Sequence, residues 1–143
     1  MDRQDYVLAV LATAGGAPLT PVKVQKLFFL LDKKLGEQVG GPWFNFAAYD
    51  YGPFDSNVYR EIERLAVRGE AAVDANAPFT MKTYRLTPDG QKRGEALFRE
   101  LDEGTRGYVA ELSKWVRMLS FNQLVSAVYR DFPDMKVNSV FRG

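Results

Sequence analysis

The stretch from Thr20 to Gly36 constrains this chain more than any other. Thr20 is a natural N-cap, and Pro21 suits the first helical position, where its missing N–H is no loss. Val24, Leu27, Phe28, Leu31 and Leu35 then recur at helical spacing, and Gly36 supplies a stop. Phe29 and Leu30 make a second side of the same helix apolar. A helix that is apolar on more than one side must be surrounded. The spacing therefore predicts a buried central helix over 21–35, with the remainder of the chain packed around it.

The flanking segments divide readily. Tyr6, Val7, Val10 and Leu11 predict a helix over 3–14, closed by Gly15-Gly16-Ala17-Pro18. Trp43–Tyr49 is short and aromatic and reads as a strand or extended segment. Tyr49–Phe54 forms a turn, and Asp55 or Ser56 caps a helix over about 56–68. In that helix Val58, Ile62 and Leu65 face inward, while Arg60, Glu61, Glu63, Arg64 and Arg68 face solvent. Ala71–Val73 and Thr83–Leu86 predict a hairpin whose connection places Phe79, Met81 and Lys82 at or near the tip. Thr87-Pro88 starts a further helix to about Asp102, weakened by Gly90 and Gly94, with a break at Gly104 and Gly107. Tyr108, Leu112, Trp115, Val116 and Leu119 form the predicted inward stripe of the next helix. Ser120 caps the last one, with Phe121, Leu124, Val125 and Val128 inward and a stop at Phe132-Pro133.

This order gives an α+β fold, mostly helical: a winged-helix-like core of helices, one short strand and a β-hairpin over about 3–102, then C-terminal helices over about 105–135. At 143 residues, one domain spanning 1–143 is expected. Helix 56–68 would stand where a winged helix carries its recognition helix.

Composition narrows function by exclusion. The chain has no His and no Cys, which removes the usual zinc and haem sites and all imidazole-assisted nucleophiles. Asp32, Asp50, Asp55, Asp89, Glu95 and Glu100 show no metal-binding spacing, and Gly15-Gly16 and Gly40-Gly41 lack the pattern of a phosphate loop. The reading is a non-enzymatic protein with no cofactor and no metal. The longest apolar run, Leu27–Leu31, is far below the ~20 residues of a spanning helix, and no signal peptide is evident, so a cytoplasmic protein is expected.

Two surfaces could meet a macromolecule. Arg60, Arg64 and Arg68 fall on one stripe of their helix, and with Lys82 could contact DNA. The same arginines are also explained as i, i+3 partners of neighbouring glutamates, and 19 basic against 18 acidic residues lend DNA binding no overall support. Tyr49–Ser56 is the second surface. Two Tyr, one Phe and one Asp crowd around Gly52-Pro53, either as a core plug with a helix cap or as a preorganised docking surface.

Several stretches together resemble the Panacea (SocA-like, PanA-type antitoxin) domain and its YwgA-like relatives. Lys23–Leu31, with its Gln25-Lys26-Leu27 core, resembles that family's opening helix, and Tyr49–Tyr59 its Tyr-Gly-Pro turn into a helix. Tyr84–Gly90 resembles its strand-to-helix junction and Leu124–Pro133 its closing helix. The resemblance covers about residues 20–135, with the YwgA-like branch the nearer. It implies an antitoxin-type module that neutralises a partner toxin by direct binding or acts as a proteolytic adaptor. The partner-binding residues it implies are Lys23, Gln25, Lys26, Tyr51, Gly52, Pro53 and Tyr59, to which the aromatic turn adds Tyr49 and Phe54. The expected partner is a protein, such as a toxin encoded next to it, with DNA and a second copy of the chain as alternatives and no membrane.

Overall fold

A computed structural model describes residues 1–75 and 82–141. Its centre is the predicted helix, here α2 (Pro21–Leu35), in which every residue from Val24 to Leu31 is buried. Helix α1 (Arg3–Leu11) lies beside it, buried from Tyr6 to Leu11, and continues into a short 3-10 turn over Ala12–Ala14. Around the pair run β1 (Ala47–Tyr49), β2 (Gly52–Phe54), α3 (Ser56–Val67), β3 (Ala71–Ala75), β4 (Lys82–Leu86), α4 (Pro88–Phe98), α5 (Glu103–Met118) and α6 (Phe121–Asp131). The fold is mostly helical α+β with two small antiparallel sheets. No helix among the described residues is long and apolar enough to cross a membrane.

One residue ties the helical core to the second sheet. Leu19, extended between α1 and α2, exchanges both backbone hydrogen bonds with Tyr84 at 2.8 and 2.9 Å. The local order is therefore β3, β4, Leu19, with Tyr84 also opposite Val73. The predicted hairpin-tip residues Phe79 and Met81 lie outside the described residues, while Lys82 is exposed at the start of β4.

Only the last three residues of the predicted 43–49 strand pair with a neighbour. Asp32 explains why the rest does not. Its carboxylate accepts the backbone N–H groups of Trp43 and Phe44 at 3.1 and 3.0 Å, pinning that segment over the core. Trp43 then stacks on Tyr6 at 5.5 Å, and Phe44 and Phe46 meet Phe28 and Phe29 edge-on.

Four expectations are corrected. Gly90 and Gly94 do not weaken α4; they let it approach its neighbours. A Cβ at Gly90 would sit 1.8 Å from the Glu70 carbonyl oxygen, and one at Gly94 2.8 Å from that of Leu8. Gly104 and Gly107 lie inside α5, and the break falls at 99–102, where Asp102 caps the new helix through the Thr105 N–H. The inward face of α5 is Thr105, Val109, Ser113 and Val116, with Leu112 half-buried; Tyr108 and Trp115 remain 39% and 40% exposed. Small residues win that face because α5 packs closely against the 3-10 turn, where the Thr13 hydroxyl, donating to the Val10 carbonyl, accepts from Ser113 at 2.6 Å. Glu61, expected in solvent, is buried between Arg3 and Arg64, with oxygens at 2.7 and 2.5 Å.

Candidate functional site

The two strands β1 and β2 form a tight hairpin with Asp50-Tyr51 at its turn and Tyr49 opposite Gly52. Gly52 has φ +107°, a conformation that side-chain-bearing residues rarely adopt. Its missing side chain also admits Lys26: a Cβ there would be 3.4 Å from Lys26 Cε and 3.2 Å from the Tyr129 ring. Pro53 lends no N–H to the ladder, which suits a short, two-stranded edge. Both Gly52 and Pro53 are buried, whereas Tyr49 and Tyr51 are 55% and 42% exposed. The aromatic turn is thus a plug on one side and a surface on the other.

Gln25 locks this hairpin to α2 and α3. Its buried amide donates to the Asp55 carbonyl and accepts the Asp55 N–H, both at 2.9 Å. The Asp55 carboxylate in turn accepts the N–H groups of Asn45 and Asn57 at 2.8 Å, capping α3. The Gln25 amide and the Asp55 carboxylate are thus used for positioning, and among the described residues no three carboxylates gather as a metal site would need.

The outcome is a cavity of about 740 Å³ between the first turns of α2, the β1–β2 hairpin and the α5–α6 junction. All nine residues singled out for partner binding line it: Lys23, Gln25, Lys26, Tyr49, Tyr51, Gly52, Pro53, Phe54 and Tyr59. Thr20, Pro21, Val22 and Asp50 also line it, and Leu119, Ser120 and Phe121 complete the wall. Sequence reasoning missed the last three because it turned Phe121 inward with the α6 core. Phe121 is instead 39% exposed and meets Tyr51 edge-on at 5.2 Å. The other aromatics form a chain of contacts from Tyr49 through Phe54 and Tyr59 to Tyr84.

Two lysines enter this apolar setting. Lys23 Nζ donates to the Arg117 carbonyl at 2.7 Å, tying α2 to the end of α5. Lys26 is only 3% exposed, and among the described residues its Nζ has a single acceptor, the Pro53 carbonyl at 3.5 Å, and no carboxylate in range. Burial alone lowers its pKa from 10.5 to about 8. Desolvation also raises the Tyr59 phenol, whose hydroxyl reaches toward the Pro21 carbonyl at 3.4 Å.

The other proposed surface lies elsewhere. Arg64 is ion-paired with Glu61, and Arg68 with Glu70 at 3.1 Å and with the Gln4 amide. Arg60 reaches Asn57 at 3.4 Å and has no ion-pair partner among the described residues. None of the three, nor Lys82, lines the cavity. The chain matches no protein-family model, no curated protein and no solved structure.

Proposed function

We propose that the chain is a non-catalytic, protein-binding domain of antitoxin type, acting in the cytoplasm and holding its partner in the groove between α2, the β1–β2 hairpin and the α5–α6 junction. The observation that carries this reading is convergence. Lys23, Gln25, Lys26, Tyr51, Gly52, Pro53 and Tyr59, which the family resemblance implies, and Tyr49 and Phe54 of the aromatic turn line one concave surface. That surface combines a rigid floor with exposed Tyr49, Tyr51 and Phe121 at the rim, the residue types that anchor interfaces.

Co-expression with the product of the adjacent gene tests it. The expected outcome is growth rescue and a stable complex, both lost in Tyr51→Ala. A partner that is neither bound nor neutralised overturns the antitoxin reading.

A DNA-binding regulator is the second reading. It is favoured by the order α1, Leu19, α2, α3 and the β3–β4 pair, interrupted by the β1–β2 hairpin between α2 and α3, with α3 in the place of a recognition helix. The pairing of Arg64 and Arg68 with carboxylates weighs against it, since those charges are already neutralised. Salt-dependent binding to the protein's own promoter, lost in Arg64→Ala, would support it.

A further inference from the structure

Among the described residues Lys26 is the buried cation of the groove, and none of its neighbours there offsets its charge. Arg64 and Arg93 have carboxylate partners at 2.5 Å, and Arg3 and Arg68 at 2.7 and 3.1 Å. Lys26 has three protons to donate and one distant carbonyl to receive them. An ammonium held in apolar surroundings without a counter-charge is costly, and a ligand anion would relieve it through a short, charge-assisted hydrogen bond.

The first turn of α2 points to the same chemistry. Thr20 makes no side-chain cap, and Pro21 has no N–H. Val22 and Lys23 are left without the usual capping oxygen, and both line the cavity. An uncapped helix N-terminus attracts negative charge. It lines the same cavity as the buried Lys26, whose wall is mostly apolar and aromatic, with the Asp50 carboxylate out at the β1–β2 turn.

We propose that the groove receives a carboxylate on an apolar body, and that its occupant is the C-terminal end of a partner polypeptide. The terminal carboxylate seats between Lys26 Nζ and the first turn of α2, and the last apolar side chains lie against Tyr51, Phe54 and Phe121. This rests on the docking reading of the groove given above. A chain end fits better than an internal Asp or Glu, which would drag flanking peptide groups on both sides into a cleft with few partners for them. It also fits better than a free small acid, which at Lys26 would leave the exposed rim aromatics in water.

The test is a random heptapeptide library displayed with free C-termini, followed by calorimetry on the best binder as its acid and as its C-terminal amide. Apolar or aromatic last residues are expected. The acid should bind about tenfold or more tightly than the amide, and Lys26→Met should abolish that difference. The preference for the acid should also shrink as pH rises past about 8, where Lys26 gives up its proton. The other titratable groups at the groove are Lys23, Tyr49, Asp50, Tyr51 and Tyr59, with Tyr129 behind Gly52. Running the pH series on Lys26→Met subtracts them. The variant removes an unpaired buried charge, so a thermal melt at or above the wild type is the folding control.

Equal binding of acid and amide, an unchanged preference in Lys26→Met, binding of 3-phenylpropionate but no peptide, or no peptide bound at all would each overturn the inference. If no peptide binds while Tyr51→Ala still breaks the complex with the adjacent-gene product, the carboxylate proposal falls and the docking reading stands. If Tyr51→Ala leaves that complex intact, both fall.

Discussion

The two sides of α2 treat charge in opposite ways. On the side of α1, α3 and α4, buried and half-buried charges meet their opposites: Arg93 lies between Glu70 and Asp5, Arg68 also reaches Glu70, and Glu61 sits between Arg3 and Arg64. Backbones touch there through glycine, and Gln91 reaches from α4 to the Ala12 carbonyl. On the groove side, the buried Lys26 has no counter-charge among the described residues, and large aromatics stand in solvent. The first side is built to hold the fold. The second carries an unmet charge and uncovered apolar area, the usual signature of a surface kept for something else.

This contrast can be broken most directly at Gly90. A methyl group placed 1.8 Å from the Glu70 carbonyl forces α4 and the start of β3 apart. Gly90→Ala is expected to cost about 4 kcal/mol, or to prevent folding, as measured by urea denaturation. An unchanged midpoint would mean that the α4 contact does not stabilise the fold as described.

Gln25→Met comes next. It keeps the volume but leaves the Asp55 N–H buried without a partner and the Asp55 carbonyl with only the Val58 N–H, at an expected cost of about 3 kcal/mol. Near-neutral behaviour would show that the hairpin is held by its aromatics alone.

Lys26→Met should act with the opposite sign. The folded lysine titrates at about 8 against 10.5 when free, so between those values the unfolded chain binds the proton more strongly. Wild-type stability, relative to the variant, should therefore rise as pH climbs through that window. Below about 8, the buried charge costs the fold on the order of 3 kcal/mol, and the variant should be more stable by about that much, less the weak contact to Pro53. A variant destabilised at neutral pH would show that Lys26 is satisfied after all.

The smallest effect belongs to Gly107. It lies exposed within α5 with nothing near its would-be Cβ, so Gly107→Ala should gain roughly 0.5–1 kcal/mol. Set beside Gly90→Ala, it separates a glycine that packs from one that only weakens a helix.

Much of this arrangement can be read in the residues themselves. The Thr20-Pro21 start and Gly36 stop reproduce the bounds of α2, and Ser120 forms the expected cap, with Gln123 reciprocating. Asp55 and Thr87 likewise cap the helices predicted to follow them. The nine groove residues were legible as two short segments plus Tyr59; that they share one cavity was not, because it depends on how the hairpin folds back on α2. Where the reading failed, the deciding partner was remote. Glu61 is indistinguishable from a surface glutamate until Arg3, 58 residues away, is brought to it. Gly90 and Gly107 look alike in sequence and differ only in what stands opposite them. On α5, Tyr108 and Val109, like Trp115 and Val116, are one residue apart, about 100° around the helix. The choice between those faces was made by the Thr13 contact and not by hydrophobicity.

The claim that the groove, rather than the arginine stripe of α3, meets the partner is tested most directly by affinity for the adjacent-gene product in two variants. Calorimetry should give at least a roughly tenfold loss for Tyr51→Ala, which removes an exposed aromatic anchor, and no more than about a twofold change for Arg64→Ala. The reverse pattern, with Arg64→Ala weakened and Tyr51→Ala unchanged, would contradict it.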